Sequence, residues 1–264
     1  MRRVARALAV HELVERTRDR WVLVVSVLFA ALASAVSAYG SSATEGASLT
    51  GPSLVTLASL FIPLVALVLS HDAIVGERER NTLGLLLSLP ITRMEAVFAK
   101  LLGRGAALVI SVGVGLGAAM LFTSAGERAT LLTLLVPTLL LGLAFLAIGV
   151  LISSVAHRQT VAASLVVVTW FALVFFYDLA LLGLLVVTDG GISQDAVANM
   201  VLANPAGLYR VTMMEALVGA DALADLGLVT ELPGRGMRWV MWSAWIIGPV
   251  LLSGLLLVRK KVVR

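Results

Sequence analysis

Long apolar runs separated by short polar breaks dominate the chain, and six of them are long enough to cross a bilayer: residues 21–39, 53–70, 101–123, 131–154, 161–187 and 239–258. A helix needs about 20 apolar residues to cover the hydrocarbon core. The pattern therefore predicts an all-α integral membrane protein with six transmembrane helices, forming one domain over residues 1–264. Ahead of the first run, residues 1–20 mix Val4, Leu8, Val10, Leu13 and Val14 with six arginines. That mixture predicts an interfacial helix, its apolar side toward lipid and its arginines among headgroups. Residues 40–52 leave room only for a short outer turn. Residues 188–238 form the longest break, and their apolar content predicts short helices on or in the outer leaflet instead of a disordered loop. Trp239, Trp242 and Trp245 mark the outer headgroup zone of the last run.

Three runs contain proline, at Pro63, Pro137 and Pro249, each freeing a backbone carbonyl that a kink or a neighbouring helix must accommodate. Such bends suit a moving protein, although proline is also commoner in membrane helices than in soluble ones. Gly113 and Gly117, with Gly115 between, make a small-residue stripe expected to pack within the bundle.

Composition agrees with this reading. The chain is 59% hydrophobic and 14% charged, with a mean hydropathy of +1.00, far from the balance of a soluble domain. Sixteen of the 20 basic residues fall on one side if both termini are cytoplasmic, and only Arg128, Arg210, Arg235 and Arg238 fall outside. The positive-inside rule thus places both termini of this multi-pass chain in the cytoplasm. The net charge of +4 reflects this one-sided distribution, and no stacking aromatics accompany it, so nucleic acid is not an expected partner. There is no cysteine, hence no disulfide framework, zinc knuckle or thiol chemistry. The first run is too long for a removable signal peptide and lacks the cleavage context.

The most informative break is residues 76–100, GERERNTLGLLLSLPITRMEAVFAK. Glu77, Arg78, Glu79 and Arg80 precede Leu83, Leu85, Leu86, Leu87 and Leu89, then Pro90 and Arg93. Thr92 and Glu95 form a capping-box pattern that starts a new helix. A helix, a proline turn and a second helix entering the membrane result. Apolar knobs with a charged rim would give a soluble partner a handle; resting on lipid headgroups is the competing reading. The chain lacks the G-x-x-x-x-G-K-[ST] phosphate loop, so nucleotide hydrolysis would have to come from another polypeptide. His11, His71 and His157 are scattered, and no catalytic or metal cluster is expected.

Within the runs, Asp178 is the carboxylate placed furthest from either end. It is either a cargo-path or gating residue, with Tyr177 beside it, or a packed acid satisfied by Tyr177 or a neighbouring helix. A secondary transporter would show several paired intramembrane ions. Met200, Met213, Met214 and Met237 lie in or beside the long outer break and have the softness for Cu(I), but their irregular spacing favours ordinary packing.

The order Gly-Glu-Arg-Glu, Asn-Thr-Leu, Leu-Leu-Leu-Ser-Leu-Pro, Thr-Arg and Ala-Lys within residues 76–100 resembles the signature of ABC-2-type exporter permeases, and the likeness extends over essentially the whole chain. It implies that residues 76–100 are the coupling helix between the second and third membrane helices, set against a cytoplasmic ABC ATPase. The chain would then be a non-enzymatic permease subunit with no cofactor of its own, ATP and Mg being bound by two copies of that ATPase. A narrower likeness lies in residues 71–77, in Trp170-Phe171 with residues 176–182, and in Asn204-Pro205 with Tyr209-Arg210. These are similar to the permeases of the copper-processing system that matures nitrous-oxide reductase. This implies a homodimer and an extracytoplasmic β-helical partner, contacted by Asn204, Pro205, Tyr209 and Arg210. A generic exporter of lipid, drug or ion, or a membrane scaffold with no ATP cycle, are the alternatives.

Overall fold

Leu, Val and Ala fill each run with no period-2 alternation, and in the computed structural model each run is helical. The structure describes residues 2–17, 20–41, 50–122, 128–218 and 234–259, and no strand occurs among them. The elements are α1 (Arg2–Thr17), α2 (Arg20–Ser41), α3 (Thr50–Ser70), α4 (Val75–Glu79), α5 (Leu83–Ser88), α6 (Arg93–Phe122), α7 (Arg128–Val155), α8 (Gln159–Phe171), α9 (Tyr177–Val187), α10 (Gln194–Ala203), α11 (Pro205–Val218) and α12 (Arg235–Arg259), with a π-helical turn, Ala172–Phe176, between α8 and α9. Among the described residues, five stretches are long and apolar enough to cross a membrane: Pro52–Glu79, Arg93–Phe122, Leu131–Val155, Gln159–Val187 and Gly236–Leu257. The first predicted run coincides with the 22-residue helix α2.

The core forms where α3 and α7 face each other, with Ile62, Ala66, Leu67 and Leu69 against Leu141, Phe145 and Leu146. Helix α6 packs on both α2 and α7, α12 on α7, and α1 lies along α6. Small residues set these distances. A Cβ on Gly149 would lie 1.9 Å from Ser70 Oγ, and one on Gly103 would lie 2.4 Å from the Ala9 carbonyl oxygen. Only glycine permits either approach. Gly113 and Gly117 do the opposite of what their spacing predicts, since among the described residues nothing lies within 4 Å of a Cβ built on either, and both are exposed. Their stripe faces away from the bundle of this chain.

The prolines do not interrupt their helices: α3, α7 and α12 run continuously through Pro63, Pro137 and Pro249. The irregular turn among the long helices falls instead at Ala172–Phe176, which contains no proline. The α8–α9 rod is the least covered of the five apolar stretches, with Val168, Phe176, Leu179, Leu182 and Val187 exposed along it.

The long break contains two helices as predicted; α10 is largely exposed or half-buried, with only Leu202 buried. Helix α11 packs against α7 and α3, burying Leu208, Tyr209 and Met213. The part of the predicted apolar stretch 216–229 from residue 219 onward lies outside the described residues. Trp242 is buried as well, so of the predicted headgroup aromatics only Trp239 is largely exposed among large hydrophobics.

Candidate functional site

The polar break after α3 becomes a wiring hub. Ser153 of α7 is fully buried and its hydroxyl accepts the Ile74 and Val75 amides at 2.9 and 3.0 Å, satisfying the first orphan N–H groups of α4 from another helix. Each charged residue of the Gly-Glu-Arg-Glu motif then reaches a different element. Glu77 accepts from Lys100 of α6 at 2.9 Å and from the Thr82 hydroxyl. Arg78 donates to the Ala156 and Ser154 carbonyls, the orphan acceptors at the end of α7. Glu79 accepts the Gln159 amide at 2.8 Å, at the start of α8. Asn81, at φ 58°, turns the chain after α4, a left-handed position that asparagine tolerates. The rim charges read from sequence as a docking surface are thus engaged inside the chain at Glu77, Arg78 and Glu79.

The leucines divide by face. Leu85 is 71% exposed and Leu89 38%, while Leu86 is buried at 8% and Leu83 packs on the core; the Leu87 side chain lies outside the described residues. Pro90 is exposed at the turn. The capping box forms as predicted: the Thr92 amide donates to Glu95 Oε2 at 2.8 Å and the Glu95 amide to Thr92 Oγ1 at 3.1 Å. Arg93 donates to the Leu257 carbonyl, tying the start of α6 to the end of α12.

Beneath this hub lies an ion network that sequence reasoning did not assemble. Arg104, 1% exposed, donates to Glu12 Oε2 at 3.0 Å, to Asp72 Oδ1 at 2.6 Å and to the Leu69 carbonyl at 2.6 Å. Lys100 bridges Glu12 and Glu77, and Arg16 reaches Asp72 at 2.8 Å. Three carboxylates, Glu12, Asp72 and Glu77, thereby alternate with three cations, Arg16, Lys100 and Arg104, and join α1 to α6 and to the α3–α4 junction. Burial by itself would raise the Glu12 carboxyl, but the charges of Arg104 and Lys100 outweigh it and hold the group below its ordinary value. A signal for the network was present: Arg104 sits in an apolar run and requires a counterion. Ala5, Ala9, Glu12 and Arg16, at helical spacing, mark the α1 face that supplies it. Helix α1 is accordingly anchored through Glu12 and Arg16, with Val10 and Val14 exposed on another face.

At the other end of the bundle, the α10–α11 hairpin is tied to the surrounding helices. Asp178 pairs with Arg210 at 2.6 Å, not with Tyr177, whose hydroxyl donates to the Met200 carbonyl at 2.6 Å. Asn204, 1% exposed, donates to the Leu173 carbonyl at 2.7 Å and accepts the Ala206 amide at 3.1 Å, capping α11. Pro205 occupies the first position of α11, where its missing N–H is harmless. Tyr209 and Thr138 share a hydrogen bond at 3.1 Å, and burial pushes the Tyr209 hydroxyl up to about 12, keeping it neutral. The Trp245 indole donates to the Ala203 carbonyl at 3.1 Å. Asn204, Pro205 and Tyr209 are all buried, so within this chain they hold the hairpin instead of presenting a surface. Met213 is buried, Met214 and Met237 are exposed, and no group of three or more potential His, Cys, Asp or Glu metal ligands occurs among the described residues.

Residues 6–262 match the family model of the ABC-2 family transporter proteins. The chain is similar to the Probable ABC transporter permease protein NosY of Pseudomonas aeruginosa, at 36% identity over 248 residues covering 89% of this chain and 90% of the relative. The protein of the same description from Stutzerimonas stutzeri is 34% identical over 257 residues, covering 92% and 93%.

Proposed function

Because the chain belongs to the ABC-2 transporter family, a multi-pass permease family, we propose that it works as a homodimeric permease with six spans and cytoplasmic termini. It carries no nucleotide site of its own and takes its drive from two copies of a partner ABC ATPase that bind ATP and Mg. The observation that carries this reading is the division of labour within residues 76–100. Glu77, Arg78 and Glu79 fasten the segment to α6, α7 and α8, while Leu85, Leu89 and Pro90 stand out from it. A protruding apolar tip on a stapled base receives a push without folding under it.

The push is then shared. The Glu12–Asp72–Glu77 and Arg16–Lys100–Arg104 network makes α1, α3, α4 and α6 move together at the cytoplasmic end, and α3 and α7 carry the displacement to the α10–α11 hairpin. The output there is transport or a mechanical signal to an extracytoplasmic partner. The likeness in residues 71–77, in Trp170-Phe171 with residues 176–182, and in Asn204-Pro205 with Tyr209-Arg210 supports copper-site assembly of nitrous-oxide reductase as the process served, with an outer β-helical partner. Since Asn204, Pro205 and Tyr209 are buried, that partner would meet half-exposed Arg210 and the residues around it.

Replacing Leu85 and Leu89 together by Asp is expected to abolish co-purification of the ATPase while membrane levels of the permease stay normal. Undiminished ATPase binding would overturn the docking assignment. Leu86 is the wrong probe, since its burial makes an aspartate there a folding defect.

A further inference from the structure

A hydrogen bond from the Tyr177 amide to the Ala172 carbonyl closes the π turn between α8 and α9. Such a turn holds one more residue than an α turn and disturbs the carbonyl ladder around it. Here the Leu173 carbonyl takes its hydrogen bond from Asn204, a buried side chain on the α10–α11 hairpin. The two sides of the turn are anchored to different bodies. On the α8 side, the Trp170 indole donates to the Leu60 carbonyl of α3 at 3.0 Å. On the α9 side, Tyr177 and Asp178 both reach the hairpin, at Met200 and Arg210.

We infer that Ala172–Phe176 is a register switch in this helix, with Asn204 as the positioning residue that holds its π form. Closing the turn to α-helix without losing a residue rotates α9 by about 100° relative to α8 and advances it by about 1.5 Å. Every α9 residue then takes the angular place now held by its successor. Tyr177 moves to the place of Asp178, facing Arg210, and Asp178 moves to the place of Leu179, on the exposed side of the rod. The switch and the hairpin are therefore one two-state element: the hairpin cannot keep Arg210 on Asp178 and Asn204 on Leu173 once the turn closes. Inward-facing residues of α9 recur at Tyr177, Asp178, Leu181, Leu185 and Thr188, which makes the rotation readable. Leu181 would turn outward to the place of Leu182 while Leu184 turned inward to that of Leu185. This inference rests on the relay reading only for what throws the switch, not for its existence.

The chain contains no cysteine, so single reporters at Leu181→Cys, Leu184→Cys and, before the turn, Val167→Cys can each carry a nitroxide spin label, whose collision rate with oxygen dissolved in the bilayer reports exposure to lipid. Asn204→Ser keeps an oxygen to cap α11 but cannot reach Leu173. It is expected to raise exposure at 181 and lower it at 184, the ratio of closed to π form rising about fivefold for the loss of one hydrogen bond, with 167 unchanged. Both reporters rising together, or neither moving, would overturn the switch. Deletion of Phe175 is the companion variant, because it closes the turn with α9 still in phase. That protein is expected to fold and to show the wild-type pattern at 181 and 184, now indifferent to Asn204→Ser; a persistent effect of Asn204→Ser there would overturn the switch. Adding the partner ATPase with Mg and ATP separates the two claims. Opposed shifts caused by Asn204→Ser but not by ATP would leave the switch standing and count against the relay.

Discussion

Arg104 shows how one residue constrains its surroundings. A guanidinium 1% exposed in a membrane helix requires carboxylates, and Glu12 and Asp72 supply them from two other elements. Removing one member of a buried set leaves the others uncompensated, which costs about 3–5 kcal/mol. Arg104→Met is therefore expected to lower thermal stability in detergent by that order, whereas Arg80→Met, at an exposed pair with Glu15, changes it by less than about 1 kcal/mol. The network also sets a pH response. Glu12 titrates below its ordinary value, so its stabilisation is complete above the unfolded glutamate pKa of about 4.3 and is lost as pH falls through the lower folded value. Thermal melts from pH 6 downward should show the wild type losing stability below about pH 4 more steeply than Glu12→Gln.

Among the elements, the sequence made the long helices and the Thr92–Glu95 start of α6 legible, because hydrophobic run length and a capping box are local signals. It also marked residues 76–100 as a charged, leucine-bearing break between apolar helices, but not which of its side chains are free. Glu77, Arg78 and Glu79 read as a charged rim, and their contacts within the chain, Lys100, Ala156 and Gln159, lie 23 to 80 residues away. Pairings at that distance leave no mark in a spacing pattern. The π turn was equally silent, since Ala172–Phe176 reads as ordinary apolar helix; the Tyr177–Ala172 bond that closes it and the Leu173 carbonyl bonded by Asn204 belong to the fold, not to the local pattern. Gly103 was passed over in favour of the Gly113 and Gly117 stripe, yet it is the glycine on which α1 rests, 2.6 Å from Glu12 Cβ for an added Cβ. Gly103→Val is expected to push α1 off α6 and break the Glu12 contacts. Limited proteolysis should then cut within α1 at a rate at least about tenfold above wild type, the change that about 1.4 kcal/mol of local destabilisation produces.

Across the whole molecule, polar anchors concentrate at the two ends and an apolar core joins them. At one end Glu12, Asp72, Glu77, Arg78, Glu79 and Arg104 bind α1, α4, α6, α7 and α8 together; at the other, Asn204, Tyr209, Arg210 and Trp245 bind the α10–α11 hairpin to the long helices. Phe145 and Leu141 of α7, packed against Ile62 and Leu67 of α3, fill the space between. That arrangement suits transmission of force along the bundle, in keeping with the proposed role as a permease driven by a partner ATPase. The most direct test is a site-specific cross-link in this cysteine-free chain: a maleimide photo-cross-linker on Leu85→Cys, compared with one on Leu121→Cys at the far end of α6, in membranes that contain the partner ATPase. The account predicts an adduct with the ATPase from position 85 and none from position 121. No adduct from 85, or an equal one from 121, would contradict it.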